Sequence, residues 1–112
     1  MIEETILNHL SGRLTFPVYM ETPEVLPEKY VLIEKTGSYN ENFIITSTFA
    51  IQSISRKRLR DAARMNELVI EAMKDLILDN TVTRCKLDSD YNFTDTEKKA
   101  YRYQAVFDIT HY

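Results

Sequence analysis

The order of hydrophobic and polar positions along the chain predicts a small α+β domain. Apolar residues near the N-terminus recur at helical spacing, and segments that alternate between apolar and polar residues follow. A long second stretch with helical spacing comes next, and two more alternating segments end the chain. This order, α-β-β-β-α-β-β, predicts an antiparallel or mixed sheet of four to five strands. We expect the short N-terminal helix and the one long helix to pack on that sheet.

The first helix is predicted from a single apolar stripe. Two glutamates, Glu3 and Glu4, lie in its first turn, where the positive end of the helix dipole favours them. Gly12 marks the predicted C-terminal end. The stripe consists of Ile2, Ile6, Leu7 and Leu10.

Three extended segments are predicted between the two helices. Residues 16–20 form a short one, and Pro17 within it suits a sheet edge because proline donates no ladder hydrogen bond. Residues 30–35 form the second strand, and the turn-rich residues 37–42 follow as a loop. Residues 43–54 form the third strand, with Phe49 and Ile51 on one face.

The long helix is predicted over residues 56–78, with Ser55 as its N-cap. Its polar face carries two pairs of like charges, Glu67–Glu71 and Glu71–Asp75. Arg64 and Lys74 lie close enough to offset the repulsion within these pairs. The predicted packing face comprises Leu59, Ala62, Ala63, Asn66, Val69, Ile70, Met73, Leu76 and Ile77.

The last two strands are predicted to form a long C-terminal hairpin. The first covers residues 81–87 and continues after a break or bulge at residues 88–90. Residues 101–109 alternate most clearly and indicate a half-buried strand. The polar residues 95–99 form the predicted hairpin turn.

Length and charge narrow the class of protein. The 112 residues fit one domain, residues 1–112, with one core. A net charge of −3 lacks the basic character of a typical nucleic-acid binder. The acidic N-terminus has no signal-peptide pattern, and no apolar stretch approaches the ~20 residues that span a bilayer. We therefore predict neither secretion nor a membrane partner.

No motif in the sequence predicts catalysis, a cofactor or a metal. Asp88, Asp90 and Asn92 resemble the start of a calcium loop, but Phe93 replaces the turn glycine and Lys99 the closing glutamate. The two histidines have no second ligand at a metal-binding spacing, and the single cysteine has no CxxC partner. Two glycines in all leave no phosphate-binding loop. The sequence thus predicts a protein that is not an enzyme.

A basic run at the predicted start of the long helix stands out. Arg56, Lys57 and Arg58, followed by Arg60, place positive charge where the helix dipole disfavours it. One explanation is neutralisation by acidic residues in nearby loops. The alternatives are contact with an acidic partner, such as residues 21–28 of a neighbouring subunit, or binding of nucleic acid.

The whole chain resembles the small tail-completion proteins, or tail terminators, of long-tailed bacteriophages and prophages. The order of weak, non-catalytic motifs carries this resemblance. These motifs are a first helix leading to Gly12, a Pro- and Glu-rich loop before residues 30–33, a strand at residues 43–53 that runs into the helix with Ala62, Ala63, Asn66 and Glu67, and a hairpin that closes on residues 101–109.

The resemblance implies a structural function. Members of that family fold as a sheet flanked by helices and assemble as a hexameric ring at the capsid end of the tail tube. The implied partners are other copies of the chain, the tail tube protein and the head connector, with DNA only inside the ring. The implied location is the tail of the virion, and the host cytoplasm during assembly. A head–tail neck protein of similar strand order, or a small nucleic-acid-binding module, is the alternative.

A ring needs two different contact patches on each subunit, and strand edges and hairpin arms are natural sources of such patches. The basic run, the predicted loop and the hairpin turn are therefore our candidate interface. Its residues are Arg56, Lys57, Arg58, Gly37, Tyr39, Asn42, Asp95, Lys98 and Lys99.

Overall fold

The structure, a computed structural model, describes residues 1–97 and 100–112 and confirms the predicted α+β fold and element order. A mixed sheet of five strands is flanked by two α-helices. The elements are α1 (Ile2–Arg13), β1 (Val18–Tyr19), β2 (Lys29–Glu41), β3 (Ile44–Ser55), α2 (Leu59–Met73), a 3-10 helix (Lys74–Leu78), β4 (Val82–Asn92) and β5 (Tyr101–His111).

The strand order in the sheet is β1-β2-β3-β5-β4. β1 is parallel to β2 and pairs with it only opposite Val31 and Leu32, whereas the other neighbours are antiparallel. The carbonyl of Pro17 accepts a hydrogen bond from the Val31 amide at 2.9 Å, so the proline lies at a sheet edge without needing to donate. β3 therefore lies in the middle of the sheet, between β2 and β5.

One face of the sheet is covered by the helices and holds the core. Phe49 and Ile51 of β3 lie opposite Phe107 and Ala105 of β5, and all four are buried. This confirms the predicted alternation in β3. The other face, which we call the open face because it lies away from the helices, carries Gln52 and Tyr30, which are nevertheless buried. The core also includes Ile2, Ile6, Leu10, Val31, Ile33, Met65, Val69, Ala72, Met73, Leu76, Val82 and Ile109.

α1 packs the predicted apolar stripe against α2 and the sheet, and within that stripe Leu7 is half-buried. Ile6 and Leu10 are fully buried, and the His9 side chain lies 2.7 Å from the backbone carbonyl of Ala72 on α2. The helix continues to Arg13, one residue beyond the predicted stop at Gly12, which lies inside the last turn.

α2 begins at Leu59, so the predicted start at Arg56 is wrong. The Arg56 amide donates to the Glu28 carbonyl at 2.8 Å, which continues the strand pairing past the end of β3. Ser55 accepts from the amides of Lys57 and Arg58, both at 3.3 Å, and so caps the turn that precedes the helix. The three basic residues therefore connect β3 to α2 and are not its first turn.

The packing face of α2 also differs from the prediction at both ends, and it includes Met65 and Ala72, which were not predicted. Leu59 is 38% exposed and Ile77 is 53% exposed, although both were expected in the core. Leu59 is the first helical residue, and the 3-10 helix after Met73 has three residues per turn, which rotates Ile77 away from the buried stripe. The buried residues of these two helices are Ala62, Met65, Asn66, Val69, Ala72, Met73 and Leu76.

β2 and β3 form a long hairpin, and the predicted loop over residues 37–42 is wrong. β2 runs to Glu41, which pairs with Ile44, so only Asn42 and Phe43 form the turn. Both have positive φ, 53° and 68°, as a two-residue hairpin turn of type I′ requires. The predicted loop is strand because its backbone pairs continuously with β3 beyond a bulge at Thr36.

The predicted C-terminal hairpin and the predicted bulge are present. β4 pairs with β5 along their lengths, and register shifts occur at Thr83 and at Asp88. Asp95 forms an isolated bridge with Ala100 at the hairpin turn. The candidate residues Lys98 and Lys99 lie outside the described residues.

Cys85 on β4 provides a chemical test of this arrangement. Its side chain packs against the core, and burial raises the pKa of the thiol from 9.0 to about 11. At pH 8 the thiolate population should therefore be roughly 100-fold smaller in the folded protein than in the unfolded chain. We expect iodoacetamide to label Cys85 slowly in buffer and rapidly in urea, as measured by mass spectrometry.

The same shift predicts a loss of stability in alkali. Because the folded pKa lies above the unfolded value, the stability present below pH 9 is lost as the pH rises toward 11. A Cys85→Ala variant should lose this part of the pH dependence. Equal labelling rates in buffer and in urea would contradict the burial of the thiol.

Candidate assembly surface

The sheet has two different unpaired edges within the described part of the chain. β1 covers β2 only as far as Leu32, which leaves the rest of β2 to Glu41 without a neighbour on that side. At the opposite edge, β4 pairs only with β5. Since β2, β3, β5 and β4 alternate in direction, β2 of a second copy in the same orientation would lie antiparallel beside β4 of the first.

Both edges also carry features that limit simple edge pairing. β2 has a bulge at Thr36, and β4 has irregularities at Thr83 and Asp88. Charged side chains such as Lys86 and Asp90 lie along β4. Bulges and charges of this kind keep edge strands from pairing indiscriminately. A specific contact between copies therefore needs groups beyond the strand backbones.

The turn of the β2–β3 hairpin forms one pole of the molecule. Thirteen residues of β2 at a rise of ~3.3 Å per residue span roughly 43 Å, which matches the 44 Å long axis of the protein. Phe43 at the turn is 93% exposed, and Tyr39 and Ile44 close to it are also exposed. An exposed apolar cluster thus lies at this pole, which we call the turn pole.

Three of the predicted interface residues lie toward the turn pole. Asn42 is in the turn itself, and Gly37 and Tyr39 are on β2 opposite Thr48 and Thr46. A side chain at Gly37 would meet no heavy atom within 4 Å, so packing does not require glycine there. Sequence reasoning missed Phe43, which was assigned to a strand.

The other described interface residues lie at the opposite pole. Arg56, Lys57 and Arg58 follow the end of β3, and Asp95 lies in the β4–β5 turn next to Ala100. Ser55 pairs with Tyr101, which brings these two groups to the same end of the sheet. The candidate residues therefore form two separate patches.

The basic residues have partners within their own chain. Lys57 lies 3.8 Å from a carboxylate oxygen of Glu28, and Arg56 donates to the Leu26 carbonyl at 3.0 Å. Arg58 lies 3.5 Å from Asp61 in the first turn of α2, where a carboxylate also compensates the helix dipole. The loop at residues 21–28, which was expected to contact these residues from a neighbouring subunit, contacts Arg56 and Lys57 within the same chain. Arg60, the fourth basic residue, is exposed.

The open face carries a ladder of hydrogen bonds that the sequence reasoning did not identify. Gln52 donates to Gln104 at 3.1 Å, and Gln104 donates to the Tyr91 hydroxyl at 2.5 Å. Farther along the same strands, Thr48 donates to Asp108 at 2.7 Å. The sequence signal that could have identified this ladder is the presence of polar residues, such as Thr48 and Gln52, at alternate positions of a strand that is otherwise apolar. These bonds give the open face a polar centre.

A pocket of about 400 Å³ lies between the C-terminal end of α1 and α2, and we call it the helix pocket. Leu14, Phe16 and Leu68 are half-buried in its wall, and Ala72 is buried. At its rim Arg13 lies 3.7 Å from Asp75. The full lining is Arg13, Leu14, Thr15, Phe16, Leu68, Glu71, Ala72 and Asp75.

Within residues 1–97 and 100–112, no cluster of three or more His, Cys, Asp or Glu side chains is arranged to hold a metal ion. No helix of this part is both long and apolar enough to cross a bilayer. A comparison with models of protein families and with curated proteins finds no match.

Proposed function

We propose that this chain is a tail-terminator protein of a long-tailed bacteriophage or prophage, without enzymatic activity. It assembles as a homo-oligomeric ring, with a hexamer implied by the resemblance, and it caps the tail tube and joins it to the head connector. Its location is then the virion tail, and the host cytoplasm during assembly. DNA contacts the ring only where it passes through the lumen.

The observation that carries this proposal is the pair of dissimilar sheet edges. β2 beyond Leu32 and the whole of β4 lie at opposite sides of one sheet and run in opposite directions. A contact between unlike patches repeats head to tail, and it closes into a ring when the rotation between subunits allows. The α-β-β-β-α-β-β order agrees with the order of motifs that carries the resemblance.

The nucleic-acid-binding alternative has weaker support. It relied on Arg56, Lys57, Arg58 and Arg60, and the first three contact acidic or carbonyl groups of their own chain. A nucleic acid would have to compete with these contacts. A head–tail neck protein of similar fold stays the closer alternative, because the same edges would serve it.

The proposal predicts a closed ring in solution. Light scattering across a wide concentration range should reach about six times the mass of one chain, and negative-stain microscopy should show rings with a central hole. Purified tail tube protein should stop elongating when the ring is added. A bovine serum albumin control should leave elongation unchanged.

Two results would argue against this function. If the tubes elongate equally with and without the chain, the terminator assignment is wrong. If the chain instead binds purified head connector and leaves the tubes untouched, the neck-protein alternative is favoured.

A further inference from the structure

We propose that Phe43 of one copy inserts into the helix pocket of the next copy. This inference rests on the proposed function and deepens it, because it names a side-chain contact that the strand edges by themselves do not supply. The occupant of the pocket is a second copy of this chain, and the contact is between the turn pole of one subunit and the helical layer of another.

The conformation and exposure of Phe43 are those expected of a residue that contacts another molecule and does not contribute to folding. Its φ of 68° lies in the left-handed region, which a bulky side chain rarely adopts. Its side chain is 93% exposed, so no packing within the chain compensates this strain. Glycine would meet the requirement of the turn without strain. Strained residues of this kind concentrate at binding sites, where the partner uses the side chain.

The helix pocket suits a neutral aromatic ring. Its wall is formed by Leu14, Phe16, Leu68 and Ala72, and its volume of about 400 Å³ exceeds that of a benzyl group. The charges at its rim are already paired, since Arg13 lies 3.7 Å from Asp75 and Glu71 lies 2.9 Å from Lys74. An entering phenyl ring would therefore bury apolar surface without separating a charge from its partner.

The larger groove on the open face is a poorer site for the same ring. It measures about 470 Å³, and its apolar lining, which includes Leu26, Leu32 and Ile54, is interrupted by the charged residues Glu34, Arg56 and Arg102. Burying an aromatic ring there would remove water from the exposed carboxylate of Glu34 without giving it a new hydrogen-bond partner. The helix pocket is thus the better match on chemistry.

The contact has to form between two copies. The exposure of Phe43 shows that it does not occupy the pocket of its own chain. Met1, at the start of α1, lies beside Thr81 and His111 near the turn pole, and Arg13 lies ~18 Å farther along the helix. Phe43, which we call the knob, and the helix pocket are therefore different patches at separate places on one subunit, as a ring requires.

The test uses two variants that each remove one side of the contact. Phe43→Ser removes the knob and keeps the pocket, whereas Leu68→Lys fills the pocket and keeps the knob. By light scattering, each variant alone should associate at least 100-fold more weakly than the unaltered protein. An equimolar mixture should form a heterodimer and nothing larger. The only intact contact in it joins Phe43 of the Leu68→Lys protein to the helix pocket of the Phe43→Ser protein. Rings formed by either variant alone would overturn the inference.

Two matched variants check that these changes do not act through the fold. Tyr112→Ser removes another exposed aromatic side chain, outside the candidate interface, and Leu78→Lys adds a charge at an exposed position after α2. Both should assemble like the unaltered protein. Phe43→Gly should raise the thermal midpoint, because it relieves the left-handed strain, and should still lose association. Loss of assembly in both control variants would overturn the assignment to this pocket.

A tryptophan reporter decides the case in which the free protein does not form rings. The chain has no tryptophan, so Phe43→Trp introduces a single fluorophore at the knob. Its emission should shift to shorter wavelength when excess Phe43→Ser protein is added, and should not shift with Leu68→Lys protein. Unchanged emission at millimolar concentration would overturn the contact. Tube capping is measured separately, so the proposed function can stand if this contact fails.

Discussion

Replacing Phe49 with alanine should lower the free energy of unfolding by about 3–5 kcal/mol. Phe49 is fully buried in the middle strand of the sheet, opposite Phe107 on β5. Neighbours on three sides belong to regular elements, so the cavity cannot collapse fully. A domain of this size has roughly 5–15 kcal/mol of stability, so this one change should bring it close to unfolding. Urea denaturation followed by circular dichroism measures the effect.

Phe43→Ala is the matched control for this prediction. It deletes the same group from a side chain that is 93% exposed, and the free energy of unfolding should change by less than about 0.5 kcal/mol. If both substitutions cost the same, Phe49 does not lie at the centre of the core.

Replacing Leu10 with alanine should lower the free energy of unfolding by about 2–5 kcal/mol. Leu10 is fully buried beneath α1 and belongs to the same core as Met73 of α2. Because α1 packs on the rest of the protein mainly through the apolar stripe that contains Leu10, the helix should also open locally before the sheet unfolds. Urea denaturation measures the first effect, and hydrogen exchange of the α1 amides measures the second.

Leu78→Ala is the control for α1, because it removes the same group from an exposed side chain. The Leu10 variant should also weaken the subunit contact proposed above, since Arg13 and Leu14 at the end of α1 form part of the helix pocket. Uniform exchange across helix and sheet in the Leu10 variant would contradict a separately docked α1.

The regular elements followed from local periodicity. Ile6 and Leu10 recur at helical spacing, and Phe49 and Ile51 alternate as in a strand, so one face of each element had to be buried. The bulge at Asp88 was foreseen because three short polar residues interrupt an alternating strand. These features depend on neighbours within a few positions, and the sequence contains that information.

The errors arose where pairing overrides local preference. Gly37 and Asn40 are typical of loops, yet pairing with β3 holds this segment in a strand up to Glu41. Because Glu41 pairs with Ile44, Phe43 lies in the turn and is exposed, although the sequence pattern predicted that it begins a strand. At the other end, pairing of Arg56 with Glu28 delayed the start of α2.

For this protein, the sequence by itself determined the order of the helices and strands and most of their apolar faces. Only the tertiary structure decided the strand order, which leaves β4 and the far half of β2 at the edges. It also decided that Lys57 meets Glu28 of its own chain and that Leu14 and Leu68 share a pocket. The physical reason is that residues far apart in the chain meet only after the sheet and helices have packed, whereas periodicity reports on neighbours a few positions away.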